Sequence, residues 1–154
     1  MPEDLKPVFE LFTEGPTFVN KAADGVGPGI LNRPGAEGWS VRDVIIHLCD
    51  AELVRTVRMR LVLAEDEPTL FGYDEGTWKR RLHYLWRSPE GALSLFQQAR
   101  FGNAELLRQC DRASWARTGL FPDGERRTLA DMVRTAVEHD TEHVAQLGVL
   151  RSGG

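Results

Sequence analysis

The sequence predicts an all-α chain, a four-helix bundle with one long crossover between its second and third helices. Three observations carry this. Four stretches place apolar residues at helical spacing, no stretch shows a convincing period of two, and three of the four helices open on recognisable capping residues. With 154 residues, the chain suits a single domain, 1–154, around one core.

Leu5, Val8, Phe9 and Phe12 mark one face of the first helix. Gly15-Pro16 interrupts that pattern. Proline is tolerated in a first turn, so a second segment is expected to start there and run through Phe18, Val19 and Ala22. Glycine and proline crowd the stretch 25–38, which reads as a loop. Ser40 with Asp43 resembles a capping box opening the second helix, within Trp39 to Ala64, and Glu65-Asp66-Glu67-Pro68 ends it. Residues 69–87 hold Phe71, Tyr73, Trp78, Tyr84 and Trp86 and read as an ordered crossover with a short helix from Asp74. Ser88 caps a third helix that has Pro89 at its first position and ends near Cys110. Residues 115–125 read as a loop with a turn at Pro122-Asp123-Gly124. Thr128, with Asp131 three residues on, opens the last helix.

Charge and composition remove several function classes. The net charge of −4 offers no broad basic field, so no nucleic-acid partner is expected. No apolar run approaches the roughly 20 residues of a membrane span. The acidic start, Met1-Pro2-Glu3-Asp4, lacks the order of a signal peptide, and a cytoplasmic location is expected. Cys49 and Cys110 are too few for a disulfide framework and read as free thiols.

The chemistry concentrates in histidines. His139 and His143 are one helical turn apart on one face, a spacing at which two imidazoles can share a metal ion. His47 shares its helix face with Asp43, Val44 and Asp50 and can point across the bundle toward the pair. The competing reading is that of satisfied core histidines. Against it, polar rings in an apolar seam cost about 1–3 kcal/mol each when unpartnered, and a metal would satisfy both. His83 lies in the crossover without a helical partner and reads as a non-ligand. The run from His139 to His143 also matches the His-x-x-Glu-His pattern of inverted zinc proteases. Those enzymes need an acidic ligand well downstream, and none follows His143.

Further residues bring a family into view. Gly15-Pro16, Leu31-Asn32-Arg33-Pro34 and the run Gly38-Trp39-Ser40 to His47-Leu48 are followed by Asp74-Glu75, Trp78, Trp115 and Gly119. Gly124, Thr128-Leu129 and His139-Asp140-x-x-His143 with Gln146-Leu147 complete the set. Together they resemble the DinB-like superfamily, in particular its YfiT-like branch, over nearly the whole chain. The resemblance implies a four-helix bundle in which His47, His139 and His143 bind one divalent metal, zinc or nickel. It implies a metal-dependent hydrolase, or a transferase using a low-molecular-weight thiol of the bacillithiol, mycothiol or glutathione type. A small-molecule substrate and a homodimer are expected with it. The alternative is a non-enzymatic, stress-related binding or dimerising module with a vestigial metal site.

Three neutral imidazoles leave a metal its full charge and an open position. Water or a thiol there would lose its proton near neutral pH. Asp43 and Asp50, each within a turn of His47, are the candidates to accept its second N–H. The other reading makes Asp43 only a cap and Asp50 a solvated charge.

Overall fold

Two capping boxes fix where the histidine-bearing helices begin. Ser40 accepts from the Asp43 amide while the Asp43 carboxylate accepts from the Ser40 amide, and Thr128 and Asp131 do the same at the last helix. Each box satisfies amide groups that a helix N-terminus otherwise leaves unpaired. The computed structural model describes residues 1–153. A 3-10 turn, Glu3–Leu5, leads into α1 (Lys6–Ala23). The short α2 (Pro28–Leu31) lies in the glycine-rich connection to α3 (Val41–Ala64). The crossover holds α4 (Glu75–Arg81), capped by Asp74, and a 3-10 turn, Tyr84–Trp86. After it come α5 (Pro89–Arg108), α6 (Arg112–Trp115), strands β1 (Thr118–Leu120) and β2 (Arg126–Thr128), and α7 (Leu129–Ser152).

The four long helices form the expected bundle. Helix α1 packs on α5 and α7, and α3 packs on the same two, so α1 and α3 face each other across the diagonal. Among the described residues, no helix is long and apolar enough to cross a membrane. The core divides in two. One cluster joins Phe9, Phe12, Met59, Leu107, Trp115 and Val133, and the other joins Val19, Ile45, Leu48, Phe96, Leu147 and Leu150. Between them in sequence lie the buried polar residues Glu52 on α3, Arg100 and Asn103 on α5 and Asp140 on α7, with Gly15-Pro16 at the same level of α1; His47 is buried within the second cluster.

The structure corrects two sequence expectations. Residues 115–125 are not simply a loop. They start on the last residue of α6 and hold β1 and the turn of an antiparallel β1–β2 hairpin whose second strand follows at once, and the crossover is tied to that hairpin at Thr69–Leu120. Strands of three residues are too short to display a period. Gly15-Pro16 does not divide the first helix either, because α1 runs unbroken through it. Proline has no N–H for the carbonyl four residues back, that of Phe12. Arg100 supplies the missing donor, with Nη1 2.8 Å from the Phe12 oxygen. Gly15 makes room for this approach. A Cβ there would overlap the Asp140 carboxylate and lie 2.7 Å from Arg100 Nη1.

Gly15→Ala is therefore expected to destabilise by about 1–3 kcal/mol through overpacking, against a gain in helix propensity of about 1 kcal/mol. Urea unfolding measures it. A stabilised variant would show that the Arg100–Asp140 pair shifts aside freely.

Candidate metal centre and its cleft

Helix α3 brings His47 to face His139 and His143 on α7, and one nitrogen from each ring lies within 4.8 Å of the others. His47 is fully buried, while His139 and His143 are half-buried. Gln146, one turn beyond His143 on α7, fixes that ring. Its amide Oε1 only accepts, so His143 Nδ1 donates across 2.7 Å, which selects the tautomer whose Nε2 is the acceptor in a neutral ring. His47 Nε2 and His139 Nε2 approach to 3.0 Å.

Electrostatics keeps two of the rings neutral. Burial first, then His143, lowers His47 to about 4, with Asp50 opposing. Burial, Arg55 and His143 lower His139 to about 2. Neutral imidazoles carry the lone pairs a metal needs. Nδ1 of His47 and of His139 is buried with no hydrogen-bond partner among the described residues. Without a cation, the converging nitrogens have only the His47 Nε2–His139 Nε2 contact between them. This donor set fits a divalent metal bound by imidazoles.

Asp43 and Asp50 are engaged elsewhere. Asp43 closes its capping box and pairs with Lys79 at 3.0 Å, and Lys79 lies over the Trp39 ring. Asp50 takes both arms of Arg87, at 2.7 and 2.9 Å. Neither bonds His47 Nδ1, and Asp50 reaches the ring only through its field. Trp39 packs edge-on against His47 with centroids 5.6 Å apart.

Three features escape the sequence reading. Glu75, exposed on α4, places Oε1 3.7 Å from His47 Nε2; the Asp74-Glu75 pair in the crossover was its signal. Beside the triad, Arg100 bridges two carboxylates. Its Nε and Nη2 donate to Glu52 at 2.9 and 2.8 Å, and its Nη1 donates to Asp140 at 2.7 Å. Arg55 and Asn103 complete Glu52, at 2.6 and 2.8 Å. The only hint was an arginine within the apolar stripe of α5. Finally, an open cleft of about 420 Å³ ends at His139, with Arg55, Arg58, Tyr73, Glu75, Phe121 and Arg127 among its walls.

The chain is similar to known proteins over most of its length. It is 29% identical over 140 residues to "Putative metal-dependent hydrolase YfiT" of Bacillus subtilis (strain 168), covering 90% of this chain and 79% of that one. A Geobacillus kaustophilus (strain HTA426) protein of the same descriptive name is 30% identical over 139 residues, covering 88% and 78%. The solved structure of YfiT from Bacillus subtilis superposes with a TM-score of 0.91 at 27% identity, covering 97% of this chain and 87% of that chain. A mycothiol-dependent maleylpyruvate isomerase shares the fold at a TM-score of 0.77 and 15% identity, with this chain spanning 61% of its length. The DinB superfamily profile matches residues 12–147, a span that holds all three histidines, and the chain belongs to that superfamily.

Proposed function

We propose that His47, His139 and His143 hold one divalent metal ion, and that the protein is a metal-dependent hydrolase of a small molecule bound in the adjoining cleft. The observation that carries this is the convergence of three ring nitrogens, two of them on imidazoles kept neutral by burial, with one of the three rings, His139, lining that cleft. The descriptive name of the YfiT-type relatives points the same way. Imidazole ligands suit zinc and nickel alike.

A divalent ion held by three neutral ligands supplies a Lewis acid that makes water a nucleophile near neutral pH. The chain's own groups do the rest. Gln146 holds His143 with Nε2 toward its partners. Trp39 and the buried wall of α3 keep the His47 ring in one orientation. Glu75, on the crossover at the cleft, offers a carboxylate to hold the proton of an entering water. The cleft walls orient the substrate.

Metal analysis of the purified protein tests the site. About one zinc or nickel per chain is expected in wild type and less than about a tenth of that in His139→Ala. Equal contents in the two would sink the proposal. Ester and amide hydrolysis, measured with and without chelator and with low-molecular-weight thiols added, tests the reaction. Turnover that requires the thiol would replace hydrolysis by thiol transfer at the same ligands.

A further inference from the structure

Charge pairing along the cleft is uneven. Arg127 pairs with Asp123, and Arg55 pairs with the buried Glu52. Arg58, between them on the cleft wall, has no carboxylate partner among the described residues. Its Nε and Nη2 both donate to the Phe71 carbonyl, a neutral acceptor, which leaves Nη1 unengaged. The guanidinium carbon lies 5.5 Å from the Phe71 ring centroid and 5.3 Å from that of Phe121. Two aromatic rings and a carbonyl therefore hold it in one orientation. Burial first, then Arg55 and Arg127, depress its pKa, with Tyr73 opposing, which marks a site short of negative charge.

The geometry points to Arg58 as the seat of a single carboxylate on the substrate, with an apolar or aromatic body lying along Phe121 and Tyr73 toward His139. This rests on the cleft being the substrate site of the proposed hydrolase. The end-on fork that remains, one Nη1–H with the outer Nη2–H, matches a carboxylate in plane with two parallel donors. With Arg55 and Arg127 each paired, Arg58 is the cleft arginine without a carboxylate at its own end, and the remaining acid, Glu75, stands by His47, so one negative charge is matched at Arg58. A second negative charge nearer the histidines would meet Glu75, which disfavours diacids and phosphomonoesters. Arg58 is eleven residues beyond His47, about three helical turns or ~16 Å along α3. Arg58 and His139 both line the cleft, and the body that spans from one to the other sets the length of the substrate. Arg58 is a binding and specificity residue in this scheme.

Phenylacetate and its neutral isostere phenylacetamide, titrated into metal-free protein and followed by amide and arginine Nε–H NMR shifts, test this. Removing metal stops the carboxylate from binding at the histidines, so the result stands apart from the metal reading, which the metal analysis decides. Phenylacetate is expected to saturate, with shifts at Arg58 and Phe121, and phenylacetamide to bind at least tenfold more weakly. Arg58→Gln is expected to bring phenylacetate down to the amide's level, whereas Arg127→Gln changes it less than threefold. Equal binding of acid and amide in wild type overturns the proposal without needing any variant to fold. So does tighter binding of inorganic phosphate than of phenylacetate, or a loss as large in Arg127→Gln as in Arg58→Gln.

Discussion

Arg100→Met is expected to cost about 3–5 kcal/mol of folding stability, the usual result of removing one partner from a buried ionic cluster. At this chain length, about 2–4 °C of melting temperature accompanies each kcal/mol. The guanidinium is buried and serves Glu52, Asp140 and the Phe12 carbonyl at once. Methionine fills much of the volume and serves none of them. Two carboxylates are left in a nearly dry layer with only Arg55 and Asn103 nearby, and Pro16 leaves the Phe12 carbonyl without a donor. Urea unfolding measures the loss. Replacing Glu52 and Asp140 by leucine in the same chain should recover much of it, since the penalty lies in uncompensated charge. A cost under about 1 kcal/mol for the single variant would show that water reaches the layer and solvates the acids.

The acid response gives a second readout. Burial alone would raise the Glu52 carboxyl, but Arg100 and Arg55 outweigh it and hold the group below its usual range. A carboxylate depressed in the folded state contributes stability that is fully present above the unfolded value of about 4.5 and is lost as pH falls toward the folded value. In Arg100→Met, burial faces less opposition and Glu52 gains by taking up a proton. The gap between wild type and variant should therefore narrow from pH 7 to pH 4. Arg100 also helps to lower His139, as the smallest of its causes, so losing it eases protonation of that ring and narrows the gap in the same direction. A gap that widens on acidification would mean that Arg100 does not set the ionisation of Glu52.

Local grammar was legible in the sequence. Ser40 with Asp43 and Thr128 with Asp131 are contacts three residues apart, and both boxes formed. His139 and His143 are four apart on one helix, and the family motif linked them with His47, a grouping the structure reproduces. What escaped depends on partners far along the chain. Pro16 was read as a break because the donor that compensates it is 88 residues from the carbonyl it serves. Arg100 sat in an apolar stripe, where a long cationic side chain usually carries its charge out to solvent. Only its meeting with Glu52 and Asp140, 48 and 40 residues away, explains its burial. Asp50 and Asp43 stood a turn from His47 but are taken by Arg87 and Lys79 of the crossover region, whose path the helical pattern did not define.

His47→Leu is expected to invert the order of stabilities with metal. In metal-free protein at pH 7, the variant should be more stable by about 1–2 kcal/mol, because an apolar side chain replaces a ring whose Nδ1 is buried without a partner. The gain should grow on acidification. His47 titrates at about 4 when folded and at 6.5 when not, so protonation of the unfolded chain drains wild-type stability as pH falls from 6.5 toward 4. At about 1.4 kcal/mol per pH unit, that reaches ~3 kcal/mol at the lower end. Zinc at a thousand times its dissociation constant should then stabilise wild type by about 4 kcal/mol and leave the variant little changed. Unfolding curves at pH 7 and pH 5, each with chelator and with zinc, give all four comparisons. If the variant is less stable than wild type without metal, the triad is a structural element of the core. If the order inverts, the histidines are a liability of the empty fold that the bound ion offsets, as expected of groups placed for chemistry rather than for folding.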